Sequence, residues 1–225
     1  MELLELARGP LLIASIAVFV LGIAWRLYGI FSLRVAVSLA APRRTDTASA
    51  GMLTVLRRMS PRAGVRPSST LVAVNPYIFH IGLALVFFGY APHIGFIRRL
   101  TGLHWPALPD AVMYVAAAAT IVSLLIALMM RLTDPVLRLI SGFDDYFTWF
   151  VTMLPVVTGM VLIAEPSAAV AARSGVLYPV PLAIHLISLE LLLAWFPFGK
   201  LMHAMLFVPG RAQLGSMLAS RGVDA

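Results

Sequence analysis

Ile184 to His203 reads IHLISLELLLAWFPFGKLMH, an apolar run with a histidine at each end and Glu190 between them. His185 and His203 are eighteen residues apart. On one continuous helix that spacing is five turns, which sends both imidazoles off the same face about 27 Å apart. An imidazole inside a bilayer is costly unless it is hydrogen-bonded, paired or ligated, so these two residues are the first candidates for function. Two histidines near opposite membrane surfaces call for facing partners on another helix.

The remaining composition fixes the class. Of the 225 residues 60% are hydrophobic and 12% charged, and the mean hydropathy is +0.93. A soluble fold cannot hide that much apolar surface, and an integral membrane protein is expected. The chain has no cysteine, which excludes disulfides, thiolate zinc sites and any iron–sulfur cluster ligated by its own side chains. A metal must therefore be held by histidine or carboxylate, or arrive inside a cofactor. The formal charge of +7 is read here as a topology signal, and no nucleic-acid partner is expected.

Five apolar stretches, at about 10–31, 71–92, 111–132, 146–164 and 176–208, are each long enough for a hydrocarbon core of about 30 Å. They predict an all-α fold, a five-transmembrane-helix bundle forming a single membrane domain over 1–225. The first stretch follows Glu2 and Glu5 and runs on to Arg26. A secretory signal starts positive and has a shorter core, so this stretch is read as a retained helix. Arg34 to Arg66, rich in Arg, Ser, Thr, Gly and Pro, predicts an exposed loop, and Arg98 to Pro109 predicts another. Thirteen of the seventeen Lys and Arg residues fall on one side of this topology, leaving Arg8, Arg98, Arg99 and Arg173 on the other. The positive-inside rule then puts the N-terminus outside and the C-terminus in the cytoplasm of a bacterial or archaeal cytoplasmic (inner) membrane.

In that topology the second stretch runs outward and the fifth inward. His80 and His203 share the cytoplasmic half, and His93 and His185 share the outer half. Pairing them satisfies all four imidazoles and supplies two bis-imidazole sites of the kind that grip a haem iron between bundle helices. The match is imperfect for the outer pair. Thirteen residues from His80 to His93 rise about 20 Å against about 27 Å in the fifth stretch, and His93 points about 140° away from His80 on an ideal helix. Pro92 is the residue placed to bend the helix and redirect His93.

The pattern FHIGLALVFFG in the second stretch, with IHLISLELLLAWFPFGKLMH in the fifth, resembles the gamma subunit of respiratory nitrate reductase. It also resembles the related membrane cytochromes of dissimilatory sulfite-reduction and heterodisulfide-reductase-like complexes. The resemblance covers roughly Pro10 to Pro209 and is most specific at the two histidine-bearing helices. It implies a cytochrome with two b-type haems, which oxidises a quinol (menaquinol or ubiquinol) and delivers electrons to a cytoplasmic iron–sulfur electron-transfer subunit. By position His80 and His203 match the ligands of the inner haem, and His185 matches one ligand of the outer haem. Ten residues after His80, where the nitrate-reductase pattern has a histidine, this chain has Tyr90. His93 is the substitute, because APHIGFIRRLTGLHWPALP is similar to the sulfite- and heterodisulfide-type relatives; His104 lies too far into the loop.

The resemblance also matches Gly89 to a glycine beside the outer haem, where a small residue lets a quinone ring approach, with Tyr90 next to it as hydrogen-bond donor. The family's basic quinol-binding residue has no counterpart, only Arg98, Arg99 and Asp110 nearby. Glu190, a carboxyl in mid-membrane, is expensive when ionised and suits a group that takes a proton from quinol. Bland roles are expected for Asp144 and Asp145 as helix caps, for Met129 and Met130 as packing, and for Lys200 as a boundary cation. Two alternatives stay open: a single-haem version on His80 and His203, and a cofactor-free proton or ion translocator built on Glu190 and the histidines.

Overall fold

The computed structural model describes residues 2–33, 41–59, 70–164 and 179–223. Helices account for nearly all of them, and no strand occurs among the described residues. The elements are α1 (Leu3–Phe31), α2 (Thr47–Arg57), α3 (Thr70–Gly89), α4 (Ala91–Thr101) and α5 (Asp110–Thr133). They continue with α6 (Pro135–Leu139), α7 (Phe143–Ala164), α8 (Pro179–Trp195) and α9 (His203–Ser220). Four helices, α1, α3, α5 and α7, are long and apolar enough to cross a membrane, and α8 with α9 makes a fifth if that bent pair is one span. Arg34, Arg62, Arg66, Arg173 and the expected start of the fifth stretch at Val176 lie outside the described residues.

Several expected boundaries move. Helix α1 begins at Leu3 rather than near Pro10, and Pro10 sits in a π-helical turn, Ala7–Leu11. A wider turn accommodates a residue that has no N–H to donate. The expected loop from Arg34 to Arg66 contains α2. The loop expected from Arg98 is helical as far as Thr101, where Gly102 ends α4 with φ 79°. Most consequentially, the fifth stretch is not one helix. Pro197 and Gly199 stop α8 after Trp195, a 3-10 turn follows at Lys200–Met202, and the chain beyond is bent by 76°. Five continuous helical turns therefore do not separate His185 from His203, because the helix between them is broken after Trp195.

Packed neighbours run in the order α1–α8–α7–α5–α3, an open arc, while α2 packs on α9 as a separate hairpin at one end. The arc is stitched by polar groups in an otherwise apolar interior. Asn75 Nδ2 donates to the Ser123 carbonyl at 3.0 Å and Ser123 Oγ to the Asn75 carbonyl at 3.0 Å, joining α3 to α5. Trp149 Nε1 donates to the Leu124 carbonyl at 2.7 Å, joining α7 to α5. Such bonds between membrane helices contribute roughly 0.6 kcal/mol each, and they fix register where lipid and side chain are equally apolar. Small residues on α5, Ala116, Ala117, Thr120 and Ser123, are buried and let its neighbours come close. Large apolar residues such as Ile13, Trp25, Tyr28 and Val115 are turned outward, where a lipid chain can cover them.

Candidate functional site

Helices α3 and α8 close the two sides of the arc without packing tightly on each other, and the histidines face one another across that interval. His80 on α3 and His203, the first residue of α9, have ring centroids 6.1 Å apart with planes at 89°. His93 on α4 and His185 on α8 have centroids 6.2 Å apart with planes at 12°. Both sequence-expected pairs are thus brought together. His104 is exposed in the loop after α4 and belongs to neither pair.

The route by which His93 reaches its partner differs from a simple proline bend. Helix α3 ends at Gly89, Tyr90 is extended (φ −82°, ψ 129°), and α4 restarts at Ala91 with Pro92 in its first turn. One extended residue redirects the following helix, which removes the angular mismatch computed for a continuous one. The break is held from the loop side by Leu108 N–H donating to the Gly89 carbonyl at 2.9 Å and Trp105 Nε1 donating to the Phe88 carbonyl at 2.6 Å.

Each of the four paired histidines is oriented through Nδ1. His80 Nδ1 lies 2.6 Å from the Pro76 carbonyl, His93 Nδ1 3.1 Å from the Val86 carbonyl and His203 Nδ1 2.8 Å from the Lys200 carbonyl. His185 Nδ1 lies 3.0 Å from Thr158 Oγ1, which also contacts Ser188 Oγ at 3.1 Å. A proton on Nδ1 bonded to a carbonyl fixes the tautomer that leaves Nε2 as a lone-pair donor, the arrangement usual for metal-bound histidine. A metal–imidazole bond of about 2.0 Å, plus about 1.1 Å from nitrogen to ring centre, taken on both sides requires centroids about 6.2 Å apart. The two observed separations fit that requirement. Among the described residues no group of three or more His, Asp or Glu side chains could hold a bare metal ion; these four imidazoles come in facing pairs.

The histidine at the His203 end is positioned by a charged clamp. Asp145 is buried and takes Arg131 Nη1 at 2.6 Å, Lys200 Nζ, and the Gly142 N–H at 3.0 Å. Asp144 Oδ1 accepts from Lys200 N–H at 3.3 Å and from Thr148 Oγ1 at 2.9 Å, and Thr148 in turn accepts from Trp195 Nε1 at 3.0 Å. Lys200 is therefore held by its backbone and by its ammonium while its carbonyl orients His203. The expectation that Asp144 and Asp145 simply cap α7 is too small a role. At the other end Gly159 is the counterpart, since a Cβ there would come within 3.0 Å of His185 Cε1. Thr158, Gly159 and the clamp escaped sequence reading, because nothing along the chain announces that α7 lies against α8.

Three further candidates are settled in position. The space that Gly89 leaves is filled from its own chain, since an added Cβ would meet Leu108 Cδ1 at 2.7 Å and Met113 Cε at 3.0 Å; this corrects the idea that its small size admits a ring. Tyr90 packs edge-on to His93 with centroids 5.4 Å apart. Burial, with the Asp110 carboxylate adding to it, holds the Tyr90 phenol above its ordinary value, so it is a protonated donor. Burial lowers the His93 imidazole despite backbone bonds to Val86 and Phe87, and a neutral ring is the form that ligates. Glu190 is 6% exposed, and both its carboxyl oxygens lack a hydrogen-bond partner among the described residues. Five residues on from His185, it points about 140° away from that ring on an ideal helix.

No protein-family model matches the chain. A protein of Nitratidesulfovibrio vulgaris (strain Hildenborough), named simply "Protein", is 33% identical over 140 residues, which is 62% of this chain and 58% of that relative. The chain thus matches little more than half the length of that relative, which carries no function in its name.

Proposed function

We propose that this chain is the haem b-bearing membrane subunit of a respiratory complex, oxidising quinol and passing electrons through two haems to a cytoplasmic iron–sulfur partner. The observation that carries the reading is the pair of facing histidine couples at 6.1 and 6.2 Å, every one with Nδ1 engaged and Nε2 directed away from that bond. His80 and His203 would hold one haem and His93 and His185 the other. A haem held between two imidazoles supplies reversible one-electron transfer. Around it, this chain's residues orient the ligands: the Lys200 carbonyl at His203, the Pro76 carbonyl at His80, Thr158 at His185 and the Val86 carbonyl at His93.

In this proposal the arginine-rich end faces the cytoplasm, and quinol binds near the His93–His185 end with Tyr90 as donor. Gly89 is retained only as a packing residue of that region. Glu190, a buried carboxyl without a hydrogen-bond partner among the described residues, takes up a proton released on quinol oxidation. The same buried carboxyl favours the second reading, a proton translocator without a cofactor.

Colour separates the two readings. Purified protein should show a dithionite-reducible b-type spectrum, and haem extraction should give two per chain, the number of histidine couples. A colourless, correctly folded preparation from haem-replete cells would sink the cytochrome reading and leave the translocator; one haem per chain, insensitive to His93→Ala, would reduce it to the single-haem version.

A further inference from the structure

Beyond His203 at the start of α9, the hairpin of α2 and α9 has no part in the proposed electron path. Its two helices meet through small residues: a Cβ on Gly51 would come within 2.7 Å of the Ala212 carbonyl, and one on Gly215 within 3.0 Å of the Ala50 carbonyl. Ser216 Oγ donates to the Thr47 carbonyl at 2.9 Å, Arg43 N–H to the Ser220 carbonyl at 2.9 Å, and the Arg211 guanidinium to the Arg58 carbonyl. The face of α2 carrying Gly51, Thr54 and Val55 is buried in this contact. About 100° round the helix from that face, Met52, Leu56 and Met59 are more than half exposed, at 58%, 59% and 54%. With the exposed Ala48 they recur every three or four residues, a single apolar stripe.

Two observations say what covers that stripe. Helix α9 leaves α8 at 76°; with α8 upright in a bilayer, α9 lies close to the bilayer plane, and α2 is packed along it. The far end of α2 is tied to membrane-crossing α3, where Tyr77 Oη donates to the Met59 carbonyl at 2.6 Å; tyrosine favours the membrane–water boundary. The charge fits as well. Residues 41–59 and 203–223 carry six arginines, Arg43, Arg44, Arg57, Arg58, Arg211 and Arg221, against the single acidic residue Asp46. An apolar stripe bordered by cations is the pattern of a helix bedded in an anionic lipid surface.

We infer that the α2–α9 hairpin is an interfacial anchor, with Ala48, Met52, Leu56 and Met59 set into the anionic phospholipid leaflet at the arginine-rich end of the bundle. This does not depend on the cofactor reading.

The absence of cysteine makes the test direct. Full-length variants Met52→Cys, Leu56→Cys and Met59→Cys, each spin-labelled, are reconstituted into vesicles of phosphatidylethanolamine and phosphatidylglycerol. Val115→Cys, exposed on apolar α5, and Thr45→Cys, in the exposed segment before α2, serve as lipid and water standards. Collision rates are read with oxygen, which concentrates in lipid, and with a water-soluble nickel chelate. Labels at 52, 56 and 59 should behave like that at 115, and at least twofold more chelate contact is expected when phosphatidylcholine replaces phosphatidylglycerol. Chelate contact equal to that at 45 in the anionic vesicles would overturn the inference by turning the stripe to water. Shielding from both reagents would overturn it by showing a protein cover, and chelate contact indifferent to headgroup charge would overturn its anionic part. Three label positions guard against one variant that fails to fold.

Discussion

At the residue scale, the decisive feature is how the four imidazoles are held rather than that four are present. A backbone carbonyl or a threonine hydroxyl engages each Nδ1, so Nε2 is the nitrogen each ring has free for the proposed ligation. It follows that His80→Ala and His203→Ala should each remove the same spectral component, and that the double replacement should remove no more. Two single variants that lose different components would show that these rings do not share a haem. The clamp at Asp145 gives a second expectation. Asp145→Asn leaves Arg131 and Lys200 without their carboxylate and should lower stability by about 1–3 kcal/mol, less than for a fully buried pair because both cations retain access to water. Thermal unfolding followed by circular dichroism measures that loss. In the same variant only the His80–His203 component should shift in midpoint potential, because Lys200 no longer fixes the carbonyl on His203. Glu190→Gln keeps the shape of the side chain but cannot accept a proton, so quinol-driven reduction should slow at least tenfold while dithionite reduction of both haems persists. Unchanged quinol kinetics would return Glu190 to a packing role.

At the element scale, the fold depends on two interruptions, each doing what an uninterrupted helix could not. Tyr90 in extended conformation lets α4 swing His93 towards His185, and the turn at Pro197 to Gly199 swings His203 towards His80. Both sit where proline or glycine punctuates an apolar run, and for the same reason: a missing N–H or a missing Cβ ends the helix at little cost. Hairpin packing makes a further prediction at this scale. Gly215→Leu puts a side chain where the Ala50 carbonyl and Thr54 lie, and should destabilise the α2–α9 contact by roughly 1–3 kcal/mol. Limited proteolysis should then cut within 41–59 in the variant and spare it in the parent, while both haem components remain. Equal protection in variant and parent would mean the hairpin tolerates separation of its backbones.

For the whole molecule, the arc of described helices leaves α1 and α3 as its two ends, with α1 packed chiefly on α8. Large apolar side chains line its outer surface, as expected where lipid or a neighbouring subunit replaces water. The proposed orientation is tested at this scale. A cysteine introduced at Thr45 in intact cells should resist a membrane-impermeant maleimide, and one at Leu103, exposed after α4, should react. Reversed reactivity would invert the bundle and place the His80–His203 couple on the outer side.

The sequence by itself determined the class, the helical content, most of the crossing segments and the identity of the pairs. Hydropathy over a bilayer thickness is a local property, and an intramembrane histidine advertises its cost wherever it stands. Asp110–Thr133 was legible nearly to the residue, because nothing but its own apolar length defines it. Only the tertiary structure decided that the fifth stretch is two helices, that a helix lies within the expected arginine-rich loop, and that Asp144, Asp145 and Thr158 serve histidines on other helices. The last two of those outcomes depend on close approach between segments distant along the chain. Gly51 meets Ala212 across more than 150 residues, and Thr158 meets His185 across 27. Periodicity within one segment carries no information about which neighbour will supply the hydrogen bond.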